Sequence, residues 1–231
     1  MKRVLKADLH IHSNFSDGRL SIAEIVDLYG KNGFDVIAIT DHLSEGRNLI
    51  GQVTRGLNLS LTPEKFEQYR KEIHSERIRA REQYGMNLIF GYEITKNSFV
   101  NSRSCHVLIL GLETFISPDL PVEEILCAAK EKGALTIAAH PFHTGDFEFQ
   151  TFYLWSRREQ LRNFIDAWEV SYRKKISPEV MQSGFPLIAS SDFHRSEHLS
   201  SWKTLLYCEN NLEAIRGCLK KQNIDFFYFT A

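Results

Sequence analysis

Short apolar runs that close in histidine or carboxylate recur along this chain, and helix-like segments separate many of them. The closing segments read Asp8-Leu9-His10-Ile11-His12, Thr40-Asp41-His42, Gly91-Tyr92-Glu93, Ala139-His140-Pro141 and Ser191-Asp192-Phe193-His194, with Ser16-Asp17-Gly18 and Cys105-His106 beside them. Short apolar runs bounded by polar and turn residues read as buried strands. Strands alternating with helices read as an α/β fold on a largely parallel sheet. If that sheet closes into a barrel, residues that end its strands converge on one rim, where barrel enzymes keep their chemistry.

Strands are expected over 4–10, 36–40, 88–91, 107–110, 135–139, 165–170, 187–189, 204–207 and 226–229. Helical patterns cover 22–32, 63–84, 122–132, 155–163 and 212–221. Ser21 and Glu24 carry a capping-box signal, and Thr62-Pro63 offers a cap followed by a first-turn proline. The polar link over 95–104 is short for a parallel crossover, which takes about a dozen residues or more. The strands around Glu93 and His106 are therefore expected to run antiparallel, so that His106 reaches the rim from the start of its strand. An insertion occupies about 43–84. Its first part, 43–61, is expected near the site, because long loops in compact domains are usually functional. Its charged helix is expected to be a solvated outer face with ion pairs.

The chain's 231 residues, 43% of them apolar, suit a single domain over 1–231. A net charge of −1 gives no global field for nucleic acid or an anionic membrane. Met1–Ala7 has no apolar leader region, and no run is long enough to span a bilayer, so a cytoplasmic protein with no membrane partner is expected. The four cysteines form no C-x-x-C pair and are expected reduced and mostly buried. The apolar end 226–229 is expected to be a last strand packed on the barrel or an exposed dimer patch.

His10 and His12 are two apart in a strand, so both imidazoles share a face. Imidazole with carboxylate is the ligand set of Zn, Mn and Fe sites, and the number of such groups exceeds what one ion needs. Gathered at a rim without metal, they would lose hydration with no compensating gain. Glu93 can bridge two cations, and Asp192 can do so from the opposite wall. Asp8 and Asp41 are expected to accept N–H bonds from ligand imidazoles and fix their tautomers. His143 and His198 are expected near substrate, and His74 at the surface.

The ordered motifs DLHIHSNFSDG, VIAITDH, GYEI, CHVLILGL, IAAHP and SSDFH, spanning Ala7 to His194, resemble the PHP family (polymerase and histidinol phosphatase domains). The resemblance implies a distorted seven-stranded, TIM-like β/α barrel. It implies two or three divalent ions (Mn, Zn or Fe) held by His10, His12, Asp17, His42, Glu93, His106, His140, Asp192 and His194. It further implies phosphoester hydrolysis by a metal-held hydroxide, with Glu93 and Asp192 bridging, and His194 or an Asp on the ligand rim is expected to protonate the leaving group. The expected substrate is a small nucleotide, sugar or amino-alcohol phosphate, gripped by Arg195, Arg173 and His143, with Arg47 and Arg55 as weaker candidates. An exonuclease trimming short oligonucleotides is one alternative, and a non-hydrolytic metal-binding regulatory module is another. The near-zero net charge weighs against long nucleic acids, whose affinity rests on cationic phosphate contacts. Two departures stand out: the insertion after His42 is longer and more charged than in the leanest members, and no polymerase domain accompanies the barrel in these residues.

Overall fold

A computed structural model describes residues 4–142 and 151–231. Strand β1 (Val4–Ile11) leads into helix α1 (Ile22–Lys31), then β2 (Val36–Ile39) and a three-residue strand β3 (His42–Ser44). The insertion continues through α2 (Leu49–Gly56) and α3 (Pro63–Tyr84) to β4 (Asn87–Lys96) and β5 (Cys105–Leu110). Next come α4 (Val122–Glu131), β6 (Leu135–Ala138), α5 (Phe152–Ser156), α6 (Arg158–Leu161) and β7 (Ala167–Glu169). A small hairpin, β8 (Ser171–Tyr172) and β9 (Lys175–Ile176), precedes α7 (Pro178–Met181) and β10 (Leu187–Ile188). The chain ends in β11 (Trp202–Tyr207), α8 (Leu212–Lys220) and β12 (Ile224–Tyr228).

Local chemistry sets the helix ends. The Ser21 side chain accepts from the Glu24 amide while the Glu24 carboxylate accepts from the Ser21 amide, a complete capping box. Helix α1 then buries Ile22, Ile25, Val26 and Tyr29, the i, i+3, i+4, i+7 stripe of an amphipathic helix. Helix α3 starts at Thr62-Pro63 and stops at Gly85, which takes the left-handed conformation at φ 63°. It packs Phe66, Tyr69 and Ile73 inward and carries ion pairs outside, among them Arg70–Glu67 and Arg77–Glu113, as expected of a solvated outer helix. The single helix expected over 155–163 is instead two short helices, because Arg157 leaves helical geometry at φ −116°, ψ 17°.

The sheet order is β10-β7-β6-β5-β4-β2-β1-β11-β12, with β3 pairing the far end of β4. From β1 to β10 the path counts seven strands, and it bends back on itself. Ile11 bridges Phe193 just past β10, through His12 N–H to Phe193 O at 2.8 Å and Phe193 N–H to His10 O at 3.1 Å. This is the nearly closed α/β barrel that the sequence led us to expect. Strands β4 and β5 pair antiparallel, with Thr95 opposite His106, and β5 also runs antiparallel to β6. Beyond the barrel, β12 packs on β11, and Phe226 and Phe229 rest against the core.

Two apolar layers result. Leu5, Ala7, Leu9, Val36, Ala38, Ile89, Leu108, Leu110 and Ile137 fill the barrel interior. Ile37, Ile39, Leu88, Phe90 and Tyr92 face outward against the helices. The period of two along each strand then dictates what lies above the interior layer. Ile89 and Gly91 lead to Glu93, Leu110 and Leu108 lead to His106, and Ala167 leads to Glu169. Strand β1 needs a correction to join this pattern. Its register against β2 runs Ala7↔Val36, Asp8↔Ile37, then Ile11↔Ile39, so one extra residue is inserted between Asp8 and Ile11. This bulge leaves Asp8 facing outward and turns His10 and His12 into the barrel.

Candidate metal centre

Glu93 stands at the middle of the inward-facing polar layer, fully buried. Its Oε1 is 3.1 Å from His106 Nδ1, 3.4 Å from His10 Nε2 and 3.8 Å from His140 Nε2. Its Oε2 is 2.6 Å from His42 Nδ1 and 3.7 Å from His12 Nε2. Asp192 faces it, with Oδ1 3.4 Å from both His10 Nε2 and His12 Nε2. Toward solvent, Asp17 Oδ2 lies 3.2 Å from His194 Nε2 and 3.5 Å from His42 Nε2. Donor atoms around one ion at about 2.0–2.1 Å stand roughly 3.3 Å apart in a tetrahedron, which is the spacing seen here.

Four groups have donor atoms all within 4.8 Å of one another: His12–Asp17–His42–His194, His10–His140–Asp192, His10–His12–Glu93 and Glu93–His106–His140. The nine residues named from the sequence as ligands all fall in these groups. Backbone geometry places several of them. His140 and Asp192 have positive φ, 27° and 51°, which swings each out of its strand direction. Gly18 lets the Asp17 turn close on β1, since a Cβ there would sit 2.3 Å from the His12 carbonyl oxygen.

Most of the imidazoles have a partner that fixes their orientation. Thr95 Oγ1 meets His42 Nδ1 at 2.8 Å, Asn97 Oδ1 meets His106 Nε2 at 2.9 Å, and the Asp192 carbonyl meets His194 Nδ1 at 2.9 Å. Asp8 and Asp41, expected to serve this purpose, do not. Asp8, turned outward by the bulge, accepts from Tyr29 Oη at 2.7 Å and from the Ser191 amide and hydroxyl, and it pairs with the buried Lys203 ammonium at 3.1 Å. Asp41 accepts from the Ser13 amide and hydroxyl and from Ser16 Oγ, so it holds the turn that carries Asp17. The group sequence reading missed is Glu169, which accepts from His10 Nδ1 at 3.2 Å and from the His140 amide at 2.9 Å. Its inward parity with Ala167 was the available signal. The same parity from Glu93 points to Thr95 and Asn97.

The charges of the cluster are mutually dependent. Burial alone would raise Glu93, but His106, His42 and His10 hold its carboxyl well below the usual range. Asp192 is likewise held down against burial by His194, His12 and His10. Burial disfavours the His10 and His42 imidazoliums, yet Glu169 with Glu93 raises His10, and Asp17 with Glu93 raises His42. His12 and His140 are pushed down to about 3 by burial and by neighbouring imidazoles, which outweigh the opposing pull of Asp192 and Glu93. Among the described residues, His10 Nε2, both His12 nitrogens, both Glu93 oxygens and His106 Nδ1 are buried without a hydrogen-bond partner. Each such group costs about 1–3 kcal/mol if left so. Together they are a donor set that fits divalent cations.

A model of the PHP domain matches residues 8–222. The chain belongs to the PHP domain family. This PHP domain is 25% identical over 214 residues to the DNA polymerase/3′-5′ exonuclease PolX of Bacillus subtilis, covering 87% of the chain but only 36% of that protein. In structure it resembles a two-domain protein of Bacteroides vulgatus that contains a predicted PHP-like metal-dependent phosphoesterase, with TM-score 0.71 and 23% identity over 98% of this chain and 65% of that one. It also resembles a protein of Bifidobacterium adolescentis named for a metal-dependent phosphoesterase, with TM-score 0.51 and 15% identity over 81% of this chain and 87% of that one. The chain thus spans about a third of the curated relative and just under two thirds of the Bacteroides protein.

In this PHP domain the centre opens into a cavity of about 500 Å³, with Asp17, His42, His106, His140, Asp192 and His194 lining its base and Arg19, Arg173 and Arg195 on its walls. Arg173 sits at the hairpin turn with φ 53°, and its Nε lies 3.8 Å from Asp192 Oδ2. Arg195 Nε meets His198 Nε2 at 3.2 Å, which places His198 on the wall as well. Arg19, not singled out from the sequence, follows Gly18 directly. From the insertion, Ser44, Thr54 and Leu59 reach the cavity. Arg55 instead bonds the Ser44 carbonyl, Arg47 is exposed, and neither is among the residues that line the cavity. His74 is exposed on α3. Cys105 is buried on the outward face, its thiol pushed up to about 12 by burial, and is in none of the metal-capable groups. Of the other cysteines Cys218 is buried, Cys208 intermediate and Cys127 exposed. His143 lies outside the described residues. Among those described, no helix is long and apolar enough to cross a membrane.

Proposed function

We propose that this chain is a metal-dependent phosphoesterase that hydrolyses a small phosphate ester, such as a nucleotide, sugar or amino-alcohol phosphate. The observation that carries the reading is the donor set around Glu93, buried and short of hydrogen bonds, at the foot of a cavity walled by three arginines. A volume of about 500 Å³ suits a small molecule, since ligand pockets run from about 300 to 1,000 Å³.

In this reading His10, His12, His106, His140, Glu93 and Asp192 hold two ions, and Asp17, His42 and His194 have the geometry to hold a third. Divalent ions at such a centre supply an acidified water as nucleophile and positive charge to neutralise phosphoryl oxygens. Glu93 and Asp192 bring the negative charge that lets cations sit close together. Arg173 and Arg195 grip the phosphate, and the hydrogen bond that His194 Nδ1–H donates to the Asp192 carbonyl fixes the ring so that Nε2 faces the cavity. In the two-ion form His194 delivers the proton that the leaving oxygen takes up.

A second reading is exonucleolytic trimming of short oligonucleotides, and the PolX relative is the observation that favours it. The test is turnover by chelated protein reconstituted with Mn, Zn or Fe, on p-nitrophenyl phosphate, a panel of phosphate monoesters and a labelled oligonucleotide. Monoester turnover restored by metal supports the first reading. Turnover of the oligonucleotide alone moves the assignment to the second, and no turnover at full metal occupancy removes both.

A further inference from the structure

Glu169 belongs to none of the four metal-capable groups, yet it is 1% exposed and ends strand β7 on the inward face. Both its oxygens lie against His10 Nδ1, at 3.2 and 3.3 Å, on the edge of the ring turned away from Glu93. A carboxylate there accepts from Nδ1–H, so when a metal takes the place of the other proton it is Nε2, 3.4 Å from both Glu93 Oε1 and Asp192 Oδ1, that is free to ligate. The same Oε2 accepts the His140 amide at 2.9 Å, where the backbone is held at φ 27°. One buried carboxylate therefore sets the ring of one donor and the backbone of another. His106 and His194 are oriented by neutral partners instead, Asn97 and the Asp192 carbonyl, while His42 Nδ1 faces both Thr95 Oγ1 and Glu93 Oε2.

We infer that Glu169 is a positioning residue that tightens the inner part of the centre, whose donors His10 and His140 it holds, independently of the outer group formed by His12, Asp17, His42 and His194. The inference rests on the reading of the centre as a metal site. A carboxylate behind a ligating imidazole raises its basicity and fixes its rotation, and loss of such a partner typically costs about 10–100-fold in metal affinity. Because Glu169 touches His10 and His140, which between them serve the three inner groups, and no donor of the outer one, that loss should fall on the inner metal and spare the outer ion.

The experiment is metal content by mass spectrometry after dialysis of Mn- or Zn-loaded protein against a graded chelator. Glu169→Ala is expected to release inner metal at about 10–100-fold lower chelator strength than wild type, with the outer ion released as in wild type. Glu169→Gln can keep an oxygen where Oε2 accepts from both donors but removes the charge, so it should release the same metal at an intermediate strength. Thr95→Val, which strips one partner of His42, should leave the inner metal in place and loosen the outer ion. Thermal unfolding of the chelated proteins separates positioning from folding, and if Glu169→Ala does not fold, Glu169→Gln decides the matter. Wild-type retention of every ion in either folded variant, or loss of all ions together, overturns the inference. Activity is not read, so failure of the phosphoesterase assignment and failure of this one are distinguishable.

Discussion

Replacing Lys203 with methionine should destabilise the metal-free fold by about 3 kcal/mol. Lys203 Nζ is fully buried, 3.1 Å from Asp8 Oδ2 and 2.6 Å from Ser201 Oγ. Removing one member of a buried ion pair costs about 3–5 kcal/mol, because the other charge stays behind without its counter-ion. The low end applies here. Asp8 would keep three donors, Tyr29 Oη at 2.7 Å and the Ser191 amide and hydroxyl at 3.0 and 2.6 Å, and each hydrogen bond to a charged group holds about 1.5–3 kcal/mol. For a domain of this size about 1 kcal/mol shifts Tm by roughly 2–4 °C, so the midpoint should fall by about 6–12 °C. Adding Asp8→Asn removes the stranded charge and should recover most of that loss. The assay is thermal unfolding of the four proteins of the cycle in excess chelator, which keeps metal linkage out of the comparison. A Lys203→Met midpoint within about 2 °C of wild type, or a double variant no better than the single, would refute the reasoning from charge burial.

Asp192→Asn and His12→Ala should each lower kcat by about a hundredfold or more, the scale on which key electrostatic groups act, as read by steady-state kinetics on metal-reconstituted protein. Unchanged kcat in both would remove the centre from the chemistry. Arg173→Ala or Arg195→Ala should raise KM with kcat nearly unchanged if the arginine only holds the phosphate equally in ground and transition states, and a kcat loss without a KM change contradicts that role. Metal affinity should rise with pH. Carboxylate neighbours raise His10, His42 and His194 above their ordinary 6.5, so in metal-free protein they carry protons that coordination must displace. Calorimetric titration at several pH values should show proton release and about a tenfold affinity gain per pH unit for each proton released, and a flat or falling profile would show that these imidazoles bind no metal.

The positions of His10, His12, Glu93, His106 and Asp192 were legible because a strand's period of two and a short antiparallel link leave little choice of face or rim. Asp8 was misread for the same reason. Strict alternation puts it on the face of His10, and only the extra residue between Asp8 and Ile11, which leaves no mark in composition, turns it outward to Tyr29. Glu169 obeyed the alternation and was overlooked because it closes a three-residue strand without a histidine beside it. Strand β3 and the β8–β9 hairpin are two or three residues long and polar at their ends, too short for any periodicity to register. Arg173 could be named as a candidate but not placed, since its approach to Asp192 depends on that hairpin turn.

Exposure across the centre is graded. His10, His12 and Glu93 side chains are sealed from solvent at 0%, whereas His42, His194 and Asp17 stand at 13%, 16% and 32%. The cavity also reaches His106, His140 and Asp192, so of the donors only His10, His12 and Glu93 lie wholly behind its surface. A solute entering the cavity therefore meets Asp17, His42 and His194 before it meets the donors sealed behind them.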